Sequence, residues 1–283
     1  GTQPVKKSVL HNSKQGVQTA ALAAHAQAPT ASHKIVIILP TSDSGAPAAN
    51  VQVAQQSAQL LKKMLGEIGT STDTLEDRAI SSSMLKRHQL AILPLNPNIT
   101  PKVAAALRDF VEGGGKLFVT YILADSVAEL LHLRRTGWVP QERLGQFASI
   151  QLDAPDIVGL PQSVKQASWN ITLAEPTDSR TRVIGYWYDD TDKPTGYPAL
   201  TLGDNGAFFS HIVLSDDWGN KGQLFASLFG HLAPDIWRDI AKRSLAGLTS
   251  VGHLKNWNEI TEFFTHQGGE PLKALKDAQK LTQ

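Results

Sequence analysis

Three short runs without polar alternation constrain this chain more than any other feature. They are Lys34–Pro40 (KIVIILP), Gln89–Leu95 (QLAILPL) and Lys116–Tyr121 (KLFVTY). A strand that is apolar on both sides is covered on both faces, as in a parallel sheet held between helices. The segment joining the second run to the third fits that arrangement. Pro101 suits a helix start, Val103, Leu107, Phe110 and Val111 recur at helical spacing, and Gly113-Gly114-Gly115 supplies a left-handed stop. Two buried strands joined by a helix through short loops make a βαβ unit with a right-handed crossover. The expectation is a sheet with parallel strands at Lys34–Leu39, Gln89–Leu93 and Lys116–Tyr121, with Ile37, Ile92 and Phe118 in neighbouring strands. Ligands of such sheets bind beyond the carboxyl ends of the strands, so the residues after Leu93 and Tyr121 are the first to inspect.

The rest of the chain extends this plan. A helix is expected from Ala49 to Ile68, with Val51, Ala54, Ala58, Leu61 and Leu65 inward and Gly69 as its stop. The loop before it holds one glycine, Gly45, so neither the dinucleotide GxGxxG nor the P-loop pattern is present. A short strand near Thr74, a capped helix over Ser81–His88 and a helix over Ala124–Leu133 follow, while Arg134–Gln146 has no clean period. From Phe147 the runs FASIQL, SWNITL, TRVIGYWY, YPALTL and GAFFSHIVL read as strands, with Gly203-Asp204-Asn205-Gly206 a hairpin turn between the last two. Helical patterns then cover Gln223–Leu232, Pro234–Leu248, Trp257–His266 and Leu272–Leu281. The fold class expected is therefore α/β: a three-layer sandwich with a mainly parallel central sheet, antiparallel additions in its second half and a helical C-terminal extension. Its divisions are a flexible linker over 1–32, an α/β domain over 33–233 and the extension over 234–283.

Cysteine is absent from all 283 residues, which removes disulfides, thiolate metal sites and a cysteine nucleophile together. The net charge of +1 comes without a long basic run, so no nucleic-acid surface is indicated. No apolar run approaches the roughly 18 residues of a membrane span. The compartment is not fixed by these facts. Thr2–Ser32, rich in Gln, Ala, Lys, Ser and Thr, has the composition of a linker behind a removed signal or anchor, as in a secreted or periplasmic protein. It equally suits a segment cut from within a longer chain.

The helix–GGG–strand–Tyr unit, the YPALTLGDNGAFFSHIVLSDDW hairpin and the GHLAPDIW segment resemble the class I glutamine-amidotransferase-like domain. The resemblance runs from about Lys34 to Trp237. It is strongest to non-catalytic relatives attached to glycoside hydrolases: the trimerisation domain of certain β-galactosidases and the N-terminal domain of bacterial family-10-like glycosyl hydrolases. It implies a flavodoxin-like sandwich beside a carbohydrate-active catalytic domain of the same gene product. It also implies where the chain departs from active members. They place a G-x-C-x-G elbow after the strand equivalent to LFVTY, where this chain reads Tyr121-Ile122-Leu123-Ala124-Asp125-Ser126. Their His-x-Glu pair follows the last strand, taken here to end at Leu214-Ser215-Asp216-Asp217. No glutaminase activity is expected.

Few residues suggest chemistry directly. Ser126 lacks a GxSxG setting and reads as a helix cap. The nine histidines, His211 and His231 among them, show no metal-ligand spacing and read as packed or singly bonded groups. Two acidic–aromatic clusters stand out: Tyr186-Trp187-Tyr188-Asp189-Asp190 and Asp216-Asp217-Trp218. Carboxylates accept hydrogen bonds from sugar hydroxyls and flat rings cover the apolar sugar face, although a solvated turn or a helix cap would use the same residues. The candidate ligand-binding residues are Asp43, Tyr121, Asp189, Asp190, Asp216, Asp217 and Trp218. Those after strands one, three and last are expected to meet in one cleft with Thr41 and Ser42, around a neutral polyhydroxylated ligand. No cofactor or metal is called for. The leading expectation is a ligand-binding or structural accessory domain. The alternatives are a carbohydrate hydrolase acting through Asp189, Asp190, Asp216 or Asp217, and an oligomerisation module forming a homo-oligomer.

Overall fold

The computed structural model describes residues 33–252, with side chains as far as Arg243. The expected linker over Thr2–Ser32 and the helices over Trp257–His266 and Leu272–Leu281 lie outside the described residues.

The first apolar run forms β1 (Ile35–Leu39), followed by a single 3-10 turn at Ser42–Ser44 and by α1 (Ala48–Ile68). Gly69, with φ of 107°, closes α1 as expected. Next come β2 (Thr72–Glu76), a one-turn α2 (Ser82–Leu85) capped by the Ser81 hydroxyl, and β3 (Leu90–Leu93). Then α3 (Pro101–Glu112) leads into β4 (Lys116–Thr120). Here Gly114 takes the left-handed conformation, and Gly115 lets the strand start against Phe110, whose ring would lie 2.5 Å from any Cβ. Ile37 pairs with Ile92, and Ile92 with Phe118, all in parallel register. The three runs therefore stand side by side as expected.

The second half holds α4 (Asp125–Leu130), β5 (Leu133–Pro140), β6 (Phe147–Leu152), β7 (Ser163–Ser168), β8 (Asn170–Pro176), β9 (Thr181–Tyr188), β10 (Pro194–Gly203) and β11 (Gly206–Phe209). Two helices follow, α5 (Trp218–Leu232) and α6 (Asp235–Gly252). Nine strands form one sheet in the order β2-β1-β3-β4-β11-β10-β9-β6-β7, and β5 pairs with β8 as a separate two-stranded sheet. Pairing is parallel from β2 to β11 and antiparallel from β11 to β7.

Alternate residues of the parallel strands feed two cores. Ile35, Ile37, Ile92 and Phe118 pack under α1 and α5, while Val36, Ile38, Leu93 and Val119 pack under α3 and α4. Both faces are covered, which is why these strands read as continuous apolar runs.

The structure corrects several assignments. Arg134–Gln146 contains β5, whose period is hidden by a bulge between Arg135 and Gly137 and by a largely exposed face. SWNITL is not one strand, because the chain turns at Trp169 between β7 and β8, which belong to different sheets. β7 was hidden because its inward positions include polar Gln166 and Ser168. GAFFSHIVL is a strand only to Phe209; Ser210–Leu214 leaves the sheet, held by Gln166, whose amide donates to the Ile212 carbonyl and accepts from the Leu214 N–H. Finally, α5 begins at Trp218, earlier than expected, and α4 ends at Leu130 because β5 starts so soon after it.

Candidate functional site

β4 ends at Thr120, whose hydroxyl donates to the Pro94 carbonyl (2.5 Å), and the chain must turn at once into α4. Tyr121 makes that turn with φ of 63°, a left-handed conformation that costs a residue with a bulky side chain roughly 1 kcal/mol or more. Its N–H is anchored on the Phe209 carbonyl at 2.9 Å, so β11 holds the strained residue in place. This is the position where the amidotransferase resemblance puts its elbow, and it carries a phenol.

Around Tyr121 the structure assembles an aromatic group from distant segments. The Trp138 indole N–H donates to the Tyr121 hydroxyl at 3.0 Å. The Tyr121 ring meets the His211 ring edge-on at 5.3 Å between centroids, and His211 in turn meets Trp169 at 4.6 Å. His211 is 1% exposed, its Nδ1 lying 3.3 Å from the Gln166 amide nitrogen and 3.2 Å from the Ile212 carbonyl. Burial pushes its pKa down to about 4, the Ile212 carbonyl opposing that shift and the Lys221 charge adding to it. The ring is thus neutral at pH 7. Trp138 and Trp169 remain about half exposed.

A cavity of about 410 Å³ opens here, inside the ~300–1,000 Å³ range of ligand pockets. Tyr121, Trp138, Asp125, Arg135, Thr172 and Pro97 line it. It sits beyond the carboxyl ends of β3 and β4, where an open α/β sheet binds its ligands. Asp125 and Arg135 are exposed, and neither carries a side-chain bond within the described residues. The arrangement offers two flat rings, one acceptor and one donor fork.

The other expected site residues go elsewhere. Asp43 pairs with Arg78 at 3.1 Å, beside Thr41, whose hydroxyl donates to Asp77. Asp189 and Asp190 are clamped together by the Arg143 guanidinium at 2.8 and 2.9 Å. The Lys193 N–H and the Thr191 hydroxyl also bond Asp189 and hold its carboxyl well below the usual range. Asp216 and Asp217 accept the N–H groups of Ala167 and Lys165, alternate residues of β7. Since β7 is the last strand of the sheet, these carboxylates satisfy its outward-facing donors and close the edge. Asp217 is also the residue before α5, but its side chain does not cap that helix. Asp216 further binds the ammonium of Lys221, which is buried and also donates to the Leu214 carbonyl, both at 2.8 Å. Burial lowers the Lys221 pKa, and Asp216 opposes that shift.

Trp218 donates to Glu67 at 2.6 Å under the ammonium of Lys63, fastening α5 to α1. Asp216 lines a second cavity of about 420 Å³, with Leu60 of α1, and Tyr121 does not share it. The single cleft expected from the sequence is therefore two cavities, because the last strand stops at Phe209 and the chain needs seven more residues to reach Asp217. The sequence reading missed Trp138, Trp169, Arg135 and the place of His211. The one available signal was the two tryptophans themselves, Trp138 in a stretch without a clean period and Trp169 in the run SWNITL.

No family model matches the sequence, and no curated protein does. Solved structures do match in fold. A ThuA-like protein from Bacteroides uniformis superposes with a TM-score of 0.54 at 16% identity, over 75% of this chain and 93% of its own. A β-galactosidase from Rahnella sp. R3 gives 0.51 at 15% identity, covering 71% of this chain and 31% of the enzyme. The α-L-fucosidase isoenzyme 2 from Paenibacillus thiaminolyticus gives 0.51 at 13% identity, with 71% and 33% covered. The chain thus corresponds to about a third of each hydrolase. The α/β fold expected from the sequence is the fold of this chain, and it is shared with the ThuA-like protein and with part of each hydrolase.

Proposed function

We propose that this chain is a non-catalytic accessory domain of a carbohydrate-processing protein, and that it binds a neutral sugar in the cavity between the β4–α4 turn and β5. The observation that carries the reading is the exposed Trp138 fixed by its hydrogen bond to Tyr121 at a pocket mouth, with Asp125 and Arg135 beside it, neither bonded through its side chain among the described residues. A locked indole covers the apolar face of a pyranose at little entropic cost, and the acid and the guanidinium accept from and donate to its hydroxyls. The hydrolases among the fold neighbours support a carbohydrate setting, with the catalytic domain elsewhere in the gene product. Hydrolysis within this chain is disfavoured by the bonding of Asp189, Asp190, Asp216 and Asp217, whose oxygens already serve Arg143, Lys221 and backbone donors.

The test is calorimetric titration with galactose, fucose, glucose, mannose and xylose, followed by Trp138→Ala. Binding of at least one sugar is expected, with affinity reduced tenfold or more by Trp138→Ala and thermal unfolding unchanged, because the indole is exposed. Absence of binding across the panel, or equal binding by the folded variant, refutes the reading.

A further inference from the structure

Trp169 lies outside the cavity, yet it belongs to the same aromatic group. The described residues expose five large hydrophobic side chains, and two of them join one chain of contacts: Trp138 bonds Tyr121, Tyr121 meets His211, and His211 meets Trp169. The segments that bear them are locked together, since the Gln141 N–H donates to the Trp169 carbonyl at 2.8 Å. Trp138 is level with Thr172 across the β5–β8 ladder, and Trp169 is the turn residue just before β8. The Tyr121 and Trp169 rings stand 5.3 and 4.6 Å from the same His211 ring, so their centres are at most about 10 Å apart, about the length of a disaccharide. One sugar ring covers one indole, so a single unit seated on Trp138 leaves Trp169 bare.

We infer that the ligand is an oligosaccharide whose first unit sits in the cavity on Trp138 and whose chain leaves past Tyr121 and stacks a later unit on Trp169. This rests on the carbohydrate reading above and adds the chain length. The buried His211 ring packs edge-on against both Tyr121 and Trp169, and Tyr121 accepts from Trp138, so the two indoles are linked through one buried ring.

The experiment compares the monosaccharide bound in the panel above with its linear di-, tri- and tetrasaccharides by calorimetry, in the wild type and in Trp169→Ala. One additional stacked ring raises affinity by about threefold to tenfold. The expected result is that rise between the monosaccharide and the trisaccharide, its loss in Trp169→Ala, and unchanged monosaccharide affinity in that variant. A wild type that binds all lengths equally overturns the inference and leaves the proposed function standing, as does a rise that persists without the Trp169 indole. If no sugar of any length binds the folded protein, the proposed function fails as well.

Discussion

An Asp216→Ala variant is expected to unfold about 10 °C below the wild type, a loss of about 3 kcal/mol. Lys221 is 2% exposed; among the described residues its ammonium donates to Asp216 and to the Leu214 carbonyl, and the Asp217 charge also acts on it. Removing the acid strands a buried charge, and a buried unpaired charge costs more than the intact pair contributes. The same change frees the Ala167 N–H at the sheet edge. Adding Lys221→Met should return much of the lost stability, because the methionine fills the volume without a charge to solvate. Thermal denaturation of the two variants checks this. If Asp216→Ala alone changes the midpoint by less than about 2 °C, the pair does not hold the segment 210–217 in place.

The second expected result is a loss of stability of about 3 kcal/mol between pH 6.5 and pH 4, assigned to His211. The sign follows from proton counts. The folded-state pKa is about 4, below the unfolded value of 6.5, so within that window the unfolded chain binds a proton that the folded chain does not. Stability therefore rises with pH from 4 to 6.5 and has no further His211 contribution above it. The carboxylates with lowered pKa values, Asp73, Asp156, Asp178 and Asp189, lose their contribution only as pH falls through the lower carboxylate range. Urea denaturation at half-unit intervals should show the slope in the wild type and a flatter line in His211→Phe, which keeps a ring beneath Tyr121 and Trp169 but cannot titrate. Identical slopes in both would mean that the ring takes up its proton in the folded state.

Asp216 also shows what the acidic clusters bond in the fold. Asp216-Asp217-Trp218 has the composition of a sugar site, but a carboxylate in the fold bonds whichever donors lie nearest. For this pair those are two edge-strand N–H groups some fifty residues earlier in the chain. Asp189-Asp190 is tied in the same way by Arg143, 46 and 47 residues away. The expected end of the central strand at Tyr121 lies one residue past the observed end at Thr120, because the loss of its apolar run marks where the strand stops.

The sequence by itself determined the parallel half of the sheet. Ile37, Ile92 and Phe118 lie in register because strands buried on both faces must be apolar throughout, and that requirement is written residue by residue along each run. It determined equally that no cysteine chemistry is possible. The tertiary structure alone decided which aromatic residues share a surface. Trp138, Trp169 and His211 lie 17, 48 and 90 residues from Tyr121; Trp138 and His211 reach it directly and Trp169 through His211, by way of a bulge, an early strand end and a turn between two sheets. Burial is a local property that periodicity records. The meeting of separate segments depends on pairing register and on where a strand stops, and no run of side chains carries that information alone.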